Sequence, residues 1–250
     1  MSGLVAIVGG QEHHPGCEPI DRRLLAESGL SRPTVTVLLA ATVPRRIHAK
    51  IAESTHYWRR LGAHVRFACT GGPDETEHAL DTLLDTDLVV LTGGRPWLIQ
   101  RRLTSPIVER LLRLSEDGVP LSGSSAGAMA LCTWRVDLRP GRALGIRAGL
   151  GLVTGAAAPH YDHRATRNMA RMVAFHNPDV TFLGLADRTA LIGRAGRYEV
   201  VGAGSCTVLR GASARRHPGG ARVALEPRAT VHARDDDLDL QRHAPHPTVT

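Results

Sequence analysis

Hydrophobic positions along this chain cluster in short, nearly continuous runs. Between the runs lie longer stretches in which apolar and polar residues alternate with helical spacing. Residues 4–8 (LVAIV) form the first run and end at Gly9-Gly10. Residues 34–40 form a second, apolar or β-branched at nearly every position, as a strand buried on both faces of a parallel sheet requires. Further strands are predicted over 63–68, 88–91 and 119–122. Helical spacing predicts helices over 20–28, 46–61, 74–84 and 97–113, the last broken near Pro106, then a short one over 126–131 and another over 160–173. Strands separated by helices argue for an α/β fold, a mostly parallel sheet with helices on both faces. Residues 198–201 and 206–209 read as C-terminal β-hairpin strands around the glycines at 202 and 204. Residues 222–225 and 229–233 alternate weakly, as a further strand pair would. The stretch 235–250 is charged, bears Pro and His, and reads as a flexible tail on a single domain over 1–234.

Composition adds constraints. At 250 residues, 42% of them hydrophobic, the chain is long enough for one large domain with a buried core. The formal net charge is +7. Lys50 is the only lysine among 31 basic residues, and the arginines are scattered in short pairs without interleaved aromatics. That pattern argues against a nucleic-acid partner. The four cysteines stand far apart with no C-x-x-C pair, which argues against a zinc or redox motif and for reduced thiols in a cytoplasmic protein. No apolar run approaches the length of a membrane span, and the N-terminal run lacks the cationic start of a signal peptide.

The chemistry concentrates at "GSSAGAM", residues 123–129. G-x-S-x-G between a strand and a helix is the pattern of a nucleophile elbow. Small residues let the turn close, the Ser125 hydroxyl projects above the sheet, and the Ala126 N–H points at the same space, where it can stabilise an oxyanion. Serine is a weak nucleophile at neutral pH and needs a base. Of 13 histidines, His160 follows an apolar run and Pro159 and opens a predicted helix, which places it at the sheet edge. His163 and His176 compete less well, as solvated helix positions. An α/β-hydrolase would carry its acid and then its histidine far downstream of the serine, so the close spacing of Ser125 and His160 excludes that class. Gly9-Gly10, Gly93-Gly94 and the elbow all fall at carboxyl ends of predicted strands, where open α/β sheets bind ligands.

Several motifs occur in a fixed order: Gly9-Gly10, LTGG at 91–94, GSSAGA at 123–128, GLGLV at 149–153, PHYDHRATR at 159–167 and GLADRTALI at 184–192. Over roughly residues 4 to 210 the chain thereby resembles the peptidase E and cyanophycinase family of serine peptidases, which has the class I glutamine-amidotransferase-like fold. The resemblance implies Ser125 as nucleophile, His160 as base, and an oxyanion hole from Gly94 and Ala126. Gly93 and Arg95 would border the substrate. The family's acid lies between nucleophile and histidine, where Asp137 is the available carboxylate; Asp162 and Asp187 are the other candidates. After the double glycine the family usually has Asn or Asp and then Thr or Gln, whereas this chain has Arg95-Pro96. Family members cleave dipeptides with an N-terminal aspartate or the β-aspartyl-arginine units of cyanophycin. The expectation for this chain is a small peptide or amide substrate cleaved through an acyl-enzyme, without metal or organic cofactor. A diverged acyl-transfer enzyme or an inactive binding module of the same fold is the alternative. Oligomeric state stays open, with a homodimer among the options.

Overall fold

The structure is a computed structural model that describes residues 3–70, 73–141 and 144–226. The strand expected over 229–233 and the tail expected over 235–250 lie outside the described residues. From the N-terminus the chain alternates β1 (Val5–Val8), α1 (Glu18–Ala26), β2 (Thr34–Leu38), α2 (Ile47–Arg60), β3 (His64–Ala68), α3 (Pro73–Thr82) and β4 (Leu88–Leu91). The expected helix with a break is two helices, α4 (Pro96–Arg102) and α5 (Ser105–Glu116). Each carries its proline in the first turn, where the missing N–H has no intrahelical partner to lose. Then come β5 (Leu121–Ser124) and α6 (Ala126–Leu131).

β3, β2, β4, β5 and β1 lie side by side and parallel. Because side chains alternate along a strand, each strand feeds two cores. Ala6, Val8, Val35, Val37, Leu88 and Val90 pack with Leu24 of α1 and Tyr57 and Trp58 of α2. Val5, Ile7, Val89, Leu91 and Leu121 face the other way, onto Ala79, Ile107, Leu111 and Met129. That explains the near-continuous apolar runs.

The second half is more mixed than the expected mostly parallel sheet. β6 (Cys132–Asp137), β7 (Gly145–Ala148), β8 (Val153–Ala158), α7 (Arg164–His176) and β9 (Phe182–Leu185) are followed by β10 (Thr189–Arg194), β11 (Arg197–Gly202), β12 (Ser205–Arg210), β13 (Ser213–Pro218) and β14 (Arg222–Ala224). β10, β11 and β14 extend the first sheet in antiparallel fashion from β1, giving eight strands. The others form a six-stranded sheet in the order β13-β12-β9-β8-β6-β7. The expected hairpin around 202–204 does not form. β11 pairs back onto β10, and β12 pairs with β9 and β13 in the other sheet. The glycines mark a crossing between sheets instead of a hairpin turn.

β4, β5 and β1 are neighbours and parallel, so their carboxyl ends bring Gly93-Gly94, the 123–127 turn and Gly9-Gly10 to one edge. β8 ends beside that edge, and the His160 N–H donates to the Gly9 carbonyl at 2.8 Å.

Candidate functional site

Ser125 joins β5 to α6 with φ 50° and ψ −109°, a conformation strained for any residue but glycine. The turn closes because its flanking glycines touch backbone: a Cβ on Gly123 would overlap Gly127, and one on Gly127 would overlap the Leu91 carbonyl of β4. The Ser125 N–H donates to the Val8 carbonyl at 3.0 Å, which ties the turn to β1. This is the elbow geometry the sequence predicts.

Ser125 Oγ lies 3.0 Å from His160 Nε2. His160 also has a left-handed backbone, φ 54°. Its imidazole fits over Gly10 (φ 142°), where any Cβ would overlap the ring and crowd Asp187. His160 Nδ1 lies 2.6 Å from Asp187 Oδ1. A carboxylate only accepts, so Nδ1 carries the hydrogen, and Nε2 offers its lone pair to the Ser125 hydroxyl. Asp187 sits in the turn between β9 and β10. Its own N–H donates to Asp162 Oδ1 at 3.1 Å, and its Oδ2 lies 3.5 Å from His163 Nε2. The His163 ring stacks on His160 with centroids 5.7 Å apart.

Asp137, expected as the acid, is not against His160. It lies buried at the end of β6, where Arg139 Nε reaches both carboxylate oxygens at 2.9 Å and Arg147 Nε, from the paired strand β7, reaches Oδ2 at 2.7 Å. Burial would raise its pKa, but these hydrogen bonds outweigh it and hold the carboxyl well below the usual carboxylate range. Its lone pairs are committed to two guanidiniums. The partner of His160 comes instead from 27 residues further along the chain. Of the other two candidates, Asp187 touches the imidazole and Asp162 supports Asp187.

Of the residues expected on the oxyanion side, Gly93 stands against Ser125, and a further residue joins it. The Gly93-Gly94 loop passes beside the serine: a Cβ on Gly93 would stand 3.2 Å from Ser125 Cβ. The Gly93 N–H donates at 3.0 Å to Glu12, a residue the sequence reading missed. Glu12 also accepts from the Ser124 hydroxyl at 2.8 Å and pairs with Lys50 at 3.4 Å. Burial pushes its pKa up, but Lys50 and the Ser124 hydroxyl more than offset this, so the carboxyl is lowered overall. One signal was available: Glu12 is the first carboxylate after the glycine pair that ends β1. Arg95 caps α4 with its side chain exposed; its N–H donates to the Ala41 carbonyl at 2.8 Å.

Asp162, His163 and Asp187 bring three ligand-type atoms within 4.8 Å of one another. The arrangement is poor for a cation. Asp187 is already engaged by His160, and Asp162 and Asp187 border a cavity of about 800 Å³ that Arg167, Arg171, Arg188 and Arg216 also line.

A strained serine on an elbow, a histidine within hydrogen-bond reach and a carboxylate behind the histidine thus stand in one hydrogen-bonded line. The family model of peptidase family S51 matches residues 4–201. The chain belongs to peptidase family S51. It is therefore a hydrolase of the peptidase kind. Several solved structures share the fold of this S51 chain, two peptidases among them. A peptidase from an acI-B1 Actinobacterium superposes with a TM-score of 0.76 at 20% identity, covering 90% of this chain and 98% of that one. A candidate peptidase E protein from Listeria monocytogenes EGD-e gives a TM-score of 0.61 at 16% identity, covering 81% and 98%. No curated protein sequence matches the chain. Among the described residues, no helix of this S51 peptidase is long and apolar enough to cross a membrane.

Proposed function

We propose that this S51 chain is a serine peptidase or amidohydrolase in which Ser125 is the nucleophile, His160 the general base and Asp187 the residue that orients the imidazole. The observation that carries the reading is the continuous hydrogen-bonded chain from Ser125 Oγ through His160 to Asp187, at 3.0 and 2.6 Å. His160 Nε2 takes the hydroxyl proton as Ser125 attacks the scissile carbonyl, and later gives it to the leaving amine. The oxyanion of the tetrahedral intermediate is met by the N–H groups of Ala126 and Gly94. Water activated by the same imidazole then hydrolyses the acyl-enzyme. The family supports a peptide substrate. Arg95, exposed on the loop beside the serine, supports a preference for an acidic group near the scissile bond, since its donor fork suits a carboxylate. The test is labelling with a fluorophosphonate, followed by turnover of a dipeptide library. The parent protein labels at one serine and Ser125→Ala does not; labelling of Ser125→Ala at the parent rate would identify a different nucleophile. Arg95→Ala loses rate on acidic dipeptides only, and equal turnover of acidic and neutral dipeptides by the parent would remove the specificity assignment.

A further inference from the structure

The loop between β1 and α1 is built to aim one carboxylate. Gln11 (φ 61°) and His13 (φ 67°), on either side of Glu12, both hold left-handed backbones without being glycine. Such residues persist only where their surroundings over-determine them. Here the surroundings are explicit. The His13 side chain is 1% exposed. Trp58 Nε1 donates to its Nε2 at 3.2 Å, so Nδ1 carries the hydrogen and faces Ser54 Oγ at 3.3 Å. Cys17 Sγ and the His14 N–H both reach the Gln11 carbonyl, at 3.2 Å.

The carboxylate so aimed joins three strand ends. Glu12 is on the loop after β1. Its Oε1 takes the Gly93 N–H after β4, 81 residues away, and its Oε2 takes the Ser124 hydroxyl at the end of β5, 112 residues away. Lys50 of α2 closes the group from the fourth side, and Glu12 and Lys50 are each only 16% exposed. In a chain whose other basic residues are all arginine, this is where its one lysine stands. A compact ammonium fits against a carboxylate already occupied by two other donors, where a planar fork would need more room.

We propose that Glu12 is a positioning residue that fastens the Gly93-Gly94 loop to the nucleophile turn, so that the oxyanion donors are set before substrate arrives. With the Gly93 N–H held by Glu12, the loop is left with the Gly94 N–H to direct at the reacting carbonyl. Preorganised donors stabilise a transition state because they need no reorientation at the moment of reaction. The proposal rests on Ser125 being the nucleophile, and it adds a role for a residue that acts through the Gly93-Gly94 loop.

The experiment measures the second-order rate of fluorophosphonate labelling at Ser125, kcat and KM on a dipeptide substrate, and thermal stability. The proteins are the parent, Glu12→Ala, Glu12→Gln and Ser124→Ala. Glutamine can still accept the Gly93 N–H and donate to Ser124, so it restores most of the tie. The expected result is labelling slowed about 100-fold or more in Glu12→Ala, the scale of losing one oxyanion donor. Glu12→Gln recovers to within about tenfold of the parent, the loss falls on kcat with KM little changed, and Ser124→Ala shows a smaller loss of the same kind. If Glu12→Ala does not fold, Glu12→Gln and Ser124→Ala decide by the same kcat-against-KM split. Parent rates in all three variants would overturn the role of Glu12 and leave Ser125 untouched. Loss equal in Glu12→Gln and Glu12→Ala, with stability unchanged, would also overturn it, because the tie would then not be what matters. A parent that does not label at Ser125 would overturn both this inference and the reading beneath it.

Discussion

At the scale of single residues, the site turns on which carboxylate meets His160. Asp187→Asn is expected to keep the fold and lower kcat by about 10³- to 10⁴-fold, since the amide can settle the imidazole in the wrong tautomer. Asp137→Asn leaves kcat within about threefold, because its partners are arginines outside the hydrogen-bonded chain. Steady-state kinetics on the two variants distinguishes the assignments directly. Gly10→Ala is the sharper geometric test. A Cβ there would overlap His160 Cε1 and lie 2.7 Å from Asp187 Oδ1, so the imidazole must move. A displacement on the order of 1 Å costs about 100-fold in rate, and labelling kinetics reads that loss. Ser125 and His160 were legible in the sequence because each follows an apolar run that ends at the sheet edge. Asp187 was not separable from Asp137 or Asp162, because contact with the imidazole depends on how the β9–β10 turn crosses back over the strand ends. Glu12 was harder still: its partners are set by strand order, which no local pattern encodes.

At the scale of elements, two buried carboxylates impose opposite pH dependences. Asp21, in the first turns of α1, accepts the Tyr57 hydroxyl of α2 at 2.5 Å, and burial raises its pKa to about 7. The folded state therefore keeps a proton that the unfolded chain releases near pH 4, and stability falls as pH rises between about 4 and 7. Asp21→Asn should flatten that decline and unfold at a higher temperature than the parent at pH 8, as thermal melts at pH 5 and pH 8 would show. Asp137 acts in the other direction. Its lowered pKa contributes stability that is present above the ordinary carboxylate range and is lost in strong acid. Replacing it by Asn leaves Arg139 and Arg147 without their shared anion and should cost about 1–3 kcal/mol at pH 7, read by denaturant titration. The β6–β7 pair shows why the second half of the fold was less readable than the first. Its strands carry Arg135, Asp137 and Arg147 at positions where a buried parallel strand would be apolar, so they give no continuous run. The hairpin expected around 202–204 fails for a related reason. Glycine reports that the chain bends, but not which sheet the next strand joins.

At the scale of the whole molecule, the site spans both sheets. Ser125 follows β5 of the first, His160 follows β8 of the second, and Asp187 lies where the chain passes from β9 to β10, from the second sheet back to the first. The proposed reaction centre, assembled this way, should be no more stable than the docking of the two sheets. In a urea titration, fluorophosphonate labelling is expected to fall at or before the loss of helical circular dichroism; labelling that outlasts it would contradict this arrangement.

The pairing of β1 with both β5 and β10 has a consequence for how the protein is made. Val5–Val8 precede the other described strands in chain order, yet one of their two neighbours, Ala190–Gly193, comes from far later in the chain. The nascent polypeptide can lay down β1 to β5, and so form the serine turn, long before the Asp187 turn has left the ribosome. During that interval the proposed nucleophile has no oriented base. On the proposed assignment, a product released before that turn is made would lack the carboxylate that orients the imidazole, and its serine should not label with a fluorophosphonate.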